Sequence, residues 1–141
     1  MKTGWYSPYE YIVVKPLKNG CRQSLIMAAC HREFNRWYIM AGIFSCNATY
    51  NTMTHSNVWV NPTSTNKNPS IKVVTLALEA LNEIEKQIHS YTNGKKAYIY
   101  VDGLDERRLR VYTKILTRRC GYKISKTKSE YCDSHMVYKK V

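Results

Sequence analysis

The most regular alternation of apolar and polar positions in the chain lies between Ser70 and Asn93. Val74, Ala77, Leu78, Leu81, Ile84, Ile88 and Tyr91 recur at steps of three and four, with Glu79, Asn82, Glu83 and Lys86 between them. That spacing predicts an amphipathic helix whose apolar stripe faces a core. Pro69 suits its first turn, where a missing N–H costs nothing, and Asn93-Gly94 ends it. A second helix is predicted from Glu106 to Arg119, capped by Asp105, with Leu109, Tyr112, Ile115 and Leu116 on its apolar side and Cys120-Gly121-Tyr122 as its stop.

Strand patterns surround these helices. Tyr9 to Leu17 is β-branched and aromatic, Trp37 to Cys46 is nearly all apolar as in a central strand buried on both faces, and Ala97 to Val101 is a short apolar run. Asn57 to Val60 reads as a short strand ending at Pro62, and Lys123 to Ser129 with His135 to Lys140 as a closing hairpin. Arg22 to Phe34, rich in Leu, Met and Ala with His31-Arg32-Glu33 at its end, predicts a helix of about three turns. Asn19-Gly20, Asn47 to Asn57 and Asn61 to Ser70 read as turns or loops. The resulting order predicts an α/β (α+β) fold, a single mixed, mostly antiparallel twisted sheet flanked by helices.

Composition bounds this picture. The chain has 141 residues, 44% hydrophobic and 23% charged, which fits a single domain spanning residues 1–141. No apolar run approaches the ~18 residues of a membrane span, and Met1 to Tyr6 has no apolar signal core, so a cytoplasmic protein without membrane contact is expected. The five cysteines are odd in number and include no C-x-x-C pair, so reduced thiols are expected. Cys120, Cys132 and His135 could supply three metal ligands but have no evident fourth, and no metal is expected.

The net charge of +12 is concentrated at the C-terminal end, where Arg107, Arg110, Lys114 and Arg118 lie on the second helix. Such a surface attracts polyanions by counterion release. Twelve tyrosines and three tryptophans add rings able to stack on bases or anchor a protein partner, although Tyr9, Tyr11, Tyr38, Tyr98 and Tyr100 are also good strand residues. The turn from Thr65 to Ser70 precedes a helix N-terminus, a place where backbone N–H groups favour phosphate. Asn68 tolerates the left-handed backbone that a nest of N–H groups needs, Ser70 is small, and Lys67 brings a mobile charge.

The succession of strand, V-x-P, loop, long helix, strand and a helix carrying a Tyr resembles the C-terminal two-thirds of the GNAT superfamily of N-acetyltransferases, over roughly Trp37 to Val141. Val60-Asn61-Pro62 matches the opening of that family's V-x-P-x-x-[RQ]-x-x-G-x-[GA] motif. The motif's Arg or Gln falls on Thr65, its first Gly on Asn68 and its final Gly or Ala on Ser70, three departures in the loop that grips pyrophosphate. The family's Asn seven residues before a Tyr is matched by Asp105 before Tyr112, and its later G-[FY] by Gly121-Tyr122.

The resemblance implies acetyl-coenzyme A as donor and an amine acceptor, which could be a protein, a small molecule or a nucleic-acid-linked amine. It implies that Val58 and Val60 pair with the pantetheine arm, that Lys67, Asn68, Ser70 and Asp105 help hold the cofactor, and that Tyr112 acts as general acid. Glu33, His55 and Asp102 are candidates for the base. The alternative expectation is a catalytically inactive basic binding protein of the same fold, of phage or mobile-element type, that grips nucleic acid or an acidic partner.

Overall fold

A computed structural model describes residues 1–17, 23–45, 49 and 71–141, with Ile71 described by its backbone alone. Among these residues seven strands and two helices follow in order: β1 (Gly4–Ser7), β2 (Glu10–Pro16), β3 (Gln23–Glu33), β4 (Arg36–Ser45), α1 (Ile71–Tyr91), β5 (Tyr98–Val101), α2 (Glu106–Arg119), β6 (Lys123–Lys128) and β7 (His135–Lys140). The strands form one mixed sheet in the order β1-β2-β3-β4-β5-β7-β6. All neighbouring pairs are antiparallel except β4 and β5, which run parallel with Arg36 opposite Tyr98 and Ile39 opposite Val101. The fold is thus α+β. No helix among the described residues is long and apolar enough to cross a membrane.

The period of two along the strands divides the sheet into two faces. Tyr11, Val13, Met27, Ala29, Trp37, Ile39, Ile99, Val101 and Val137 point to one face and join Ala80, Leu81, Ile84 and Ile88 of α1 and Leu116 of α2 in a single core. Both helices therefore contribute to the same side of the sheet. On the other face Ile12, Ile26, Ala28 and Phe44 form a second cluster, backed by Met1, Tyr6, Val14, Cys30 and Met40.

The helix expected from Arg22 to Phe34 is a strand. Ser24 to Ala29 are six consecutive buried residues, and β3 pairs with β2 along one edge and with β4 along the other. A helix of this length would leave part of its circumference outside, whereas a central strand buries both alternating faces, so sheet context outweighs the helix preference of Leu, Met and Ala. Gly4–Ser7 adds an edge strand that the chain's pattern did not reveal.

The long helix runs as its periodicity requires, with Leu81, Ile84 and Ile88 buried. Tyr91, expected in the core stripe, is 51% exposed and lays its ring against Trp5 and Trp37 at the margin. The chain then turns through Asn93 and Gly94, both at positive φ. Helix α2 has the predicted ends: Asp105 accepts a hydrogen bond from the Arg108 backbone N–H at 2.8 Å, and Gly121 at φ 76° follows the last turn. The stretch from Val58 to Ser70, including the expected strand at Asn57 to Val60 and the anion-facing turn, lies outside the described residues, as does His55.

Candidate functional site

The parallel pair gives the sheet a direction. Parallel strands need a crossover, and α1 lies on the connection from β4 to β5. Ligands in open sheets with parallel strands gather beyond the carboxyl ends of those strands. At that end β5 stops at Val101 and hands the chain to Asp102, Gly103 and the cap residue Asp105, while β4 continues for six residues past Ile39, the last to pair with β5. The N-terminus of α2 follows at this end, and Tyr112 lies about two turns from its cap, within electrostatic reach of Asp105 and Arg108.

Tyr112 sits half-buried on the inner side of α2 against the core. Burial pushes its hydroxyl above the ordinary tyrosine range, the nearby Arg108 cation opposes that rise and the Asp105 carboxylate adds to it. Like any phenol it is protonated at neutral pH, and the upward shift makes it a weaker acid than a free tyrosine. Asp105 is the helix cap and also meets the Arg108 guanidinium at 3.6 Å.

The candidate bases are separated. Asp102 lies at the carboxyl end of β5, where Oδ1 accepts from the Gly103 N–H at 2.8 Å and Oδ2 from the Glu130 N–H at 3.0 Å. It fastens the β6–β7 turn to the end of β5. Glu33 lies at the opposite end of the parallel pair, beside Arg36 in the β3–β4 hairpin. Of the two, only Asp102 shares an end with Tyr112. Among the described residues no group of three His, Cys, Asp or Glu side chains could hold a metal. Cys120 caps α2, Cys132 lies in the β6–β7 turn, and His135 Nδ1 meets the Ser125 carbonyl at 2.9 Å.

The basic residues of α2 form a stripe. At 100° per residue, Arg107, Arg110, Lys114 and Arg118 fall within an arc of roughly 80°, and all four are exposed. Arg110, Lys114 and Arg118 make no ion pair among the described residues. The neighbouring β6, at the rim of the sheet, adds exposed Lys123, Lys126 and Lys128.

Two aromatic arrays could not be read along the chain because they are assembled across strands. Tyr38, Tyr100 and Tyr138, on neighbouring strands β4, β5 and β7, stack at 5.5 and 5.6 Å between ring centroids, with the Arg32 guanidinium over Tyr38 and that of Arg36 over Tyr100. Arg32 also pairs with Glu130, which ties the β6–β7 turn over the same face. The second array joins Tyr9, His31, Trp37, Trp5 and Tyr91 at the other end of the strands. The alternation of Tyr98 and Tyr100 was the only local sign of the first array. The second joins residues far apart in sequence and had none.

Comparison with known proteins finds no matching family model, no matching curated protein and no matching solved structure.

Proposed function

We propose that the chain is a GNAT-like acyltransferase that moves an acetyl group from acetyl-coenzyme A to an amine. The observation that carries this reading is the one parallel strand pair among the described residues, which ends beside the capped N-terminus of α2, the helix that carries Tyr112. The cofactor supplies an activated thioester. The chain's own part is to hold donor and amine together, which contributes through proximity, and to keep a proton on Tyr112 for the departing sulfur. Asp102 stands at the end of the pair where an amine proton would be collected through water, though its oxygens are already engaged by two N–H groups. Val58, Val60, Lys67, Asn68 and Ser70 remain the residues that the family resemblance assigns to the cofactor, together with Asp105.

The reading is tested by thermal shift and calorimetry with millimolar coenzyme A and acetyl-coenzyme A. A raised melting temperature with measurable heat is expected; the absence of both signals would overturn the proposal. If Tyr112→Phe leaves a measured transfer rate unchanged, the general-acid role is lost.

The α2 stripe favours a second reading, a binding protein for nucleic acid or an acidic partner. It predicts polyanion affinity that falls steeply with salt and weakens when Arg107, Arg110 and Arg118 are changed to Ala. Affinity indifferent to salt would count against it.

A further inference from the structure

The end of the molecule opposite the Tyr112 region carries an unusual surface. The β1–β2 turn, the β3–β4 hairpin and the loop after α1 meet there, joined by hydrogen bonds from the His31 N–H to the Tyr9 carbonyl at 2.8 Å and from the Tyr98 N–H to the Asn35 carbonyl at 2.8 Å. Trp37 is buried at the centre, 2% exposed. Around it stand His31 at 4.9 Å and Trp5 and Tyr91 at 5.9 Å each between ring centroids. Tyr9 stacks on His31 within 16° of parallel, and Tyr91 lies over Trp5 at 4.7 Å. The rings thus form one row whose two ends, Tyr9 and Tyr91, are 61% and 51% exposed. A shallow, open depression lies along Trp5, Tyr6, Ser7, Pro8 and Tyr91.

The hairpin beside the row adds a second observation. Phe34 is 89% exposed and holds φ at 49°, a left-handed conformation that disfavours a residue with a bulky side chain. Its carbonyl meets His31 Nε2, so the strained turn is fastened to the ring row. Strain and exposed aromatic surface kept together in a tight turn point to a role in contact.

We infer that this row is a stacking platform for single-stranded nucleic acid. Among the described residues, every large hydrophobic residue exposed at this end is aromatic, with Val111 and Ile124 lying on α2 and β6. Ring faces without aliphatic side chains suit flat bases better than hydrocarbon tails. The surroundings are basic: exposed Lys95 and Lys96 follow Tyr91 in the same loop, and the exposed Lys2 donates its backbone N–H to the Tyr6 hydroxyl at 2.9 Å. Of the two carboxylates nearby, Glu33 faces the Arg36 guanidinium at 3.9 Å, and Glu10 accepts from the Cys30 thiol at 3.0 Å on Oε2 while its buried Oε1 has no hydrogen-bond partner among the described residues. Phosphates would follow the lysines while bases stack on Tyr91, Tyr9 and Phe34. A duplex keeps its bases stacked on each other, so the platform discriminates against it. The inference is independent of the acyltransferase reading and uses a different surface from the α2 stripe.

The test uses fluorescence anisotropy with a labelled 20-nucleotide oligothymidylate, a mixed-sequence duplex of equal length, and vesicles of phosphatidylserine and phosphatidylcholine, all at low salt. Tighter binding of the single strand, with tryptophan quenching abolished by Trp5→Phe, is expected. Tyr91→Ala combined with Tyr9→Ala should weaken single-strand affinity by roughly tenfold or more, while Tyr91→Phe, which keeps the ring, should not. Equal single-strand and duplex affinity, affinity lost only with Arg110→Ala and Arg118→Ala, or binding to the vesicles in place of the oligonucleotide would each overturn the inference. Both Tyr9 and Tyr91 are exposed, and circular dichroism of their variants would show whether they fold.

Discussion

Gly103 and the backbone of Leu109 are in such close contact that a Cβ built on the glycine would lie 2.5 Å from the Leu109 nitrogen and 2.8 Å from its Cα. The chain leaving β5 therefore passes directly under the first turn of α2. Neither partner can give way easily, because Leu109 is 1% exposed and its N–H closes the first helical hydrogen bond to the Asp105 carbonyl at 3.1 Å. Gly103→Ala is expected to destabilise the fold by about 2 kcal/mol or more, as overpacking against backbone does. Urea unfolding measures this, and an unchanged midpoint would show that the loop can move away.

Asp105 connects sequence to local structure at the same place. Its carboxylate takes one of the helix's orphan N–H groups, so Asp105→Ala should cost about 1 kcal/mol and lower α2 helicity, whereas Asp105→Asn should retain most of that. Chemical denaturation of the two variants side by side checks the expectation. Equal losses from both would mean that the 3.6 Å pairing with Arg108, rather than the cap, is what matters.

Tyr122 gives a pH prediction. Its ring is buried in the core, and its hydroxyl finds no hydrogen-bond partner among the described residues. Burial, with smaller contributions from Glu85 and Cys120, pushes its ionisation far above the ordinary tyrosine value near ~10. Because the folded value is raised, the stability linked to this proton is intact below the unfolded value. It is lost as pH climbs past ~10, where the unfolded chain releases its proton first. Tyr122→Phe should flatten that alkaline decline. At neutral pH it should be neutral or stabilising by up to about 1 kcal/mol, since an unpaired buried hydroxyl is removed. Thermal melts from pH 7 to 11 would show both effects, and a clear loss at neutral pH would reveal a partner for the hydroxyl.

Phe34 should behave in the opposite sense to an ordinary aromatic. With φ at 49° and a side chain in solvent, it contributes little packing and holds the backbone where glycine is favoured. Phe34→Gly is expected to leave stability unchanged or raise it by up to about 1 kcal/mol. A fall in melting temperature would mean that the ring packs in a way its exposure does not suggest.

How much of this was legible depended on whether the signal was local. The ends of α2 could be read because a cap aspartate and a Cys120-Gly121 stop act within a few residues of the helix they bound. The hairpin of β6 and β7 and the stripe of α1 follow from period two and period 3.6 in the same way. Segment β3 was misjudged because a continuous apolar run has no period to reveal. Only its two partners, β2 and β4, make it a strand. Of the candidate site, Tyr112 and Asp105 were visible as a spacing and the α2 cations as a charge pattern. The ring row around Trp37 depends on β1, β3 and the end of α1 converging, which no short window contains.

The sheet's last strand has a consequence for how the protein behaves among its own copies. β6 pairs with β7 on one side and ends the sheet on the other, and Lys123, Lys126 and Lys128 stand exposed along it. A second molecule adding a strand at this edge would bring three like charges against three. The lysines thus act as gatekeepers against edge-to-edge growth, and chemistry that neutralises their amines would open the edge to aggregation.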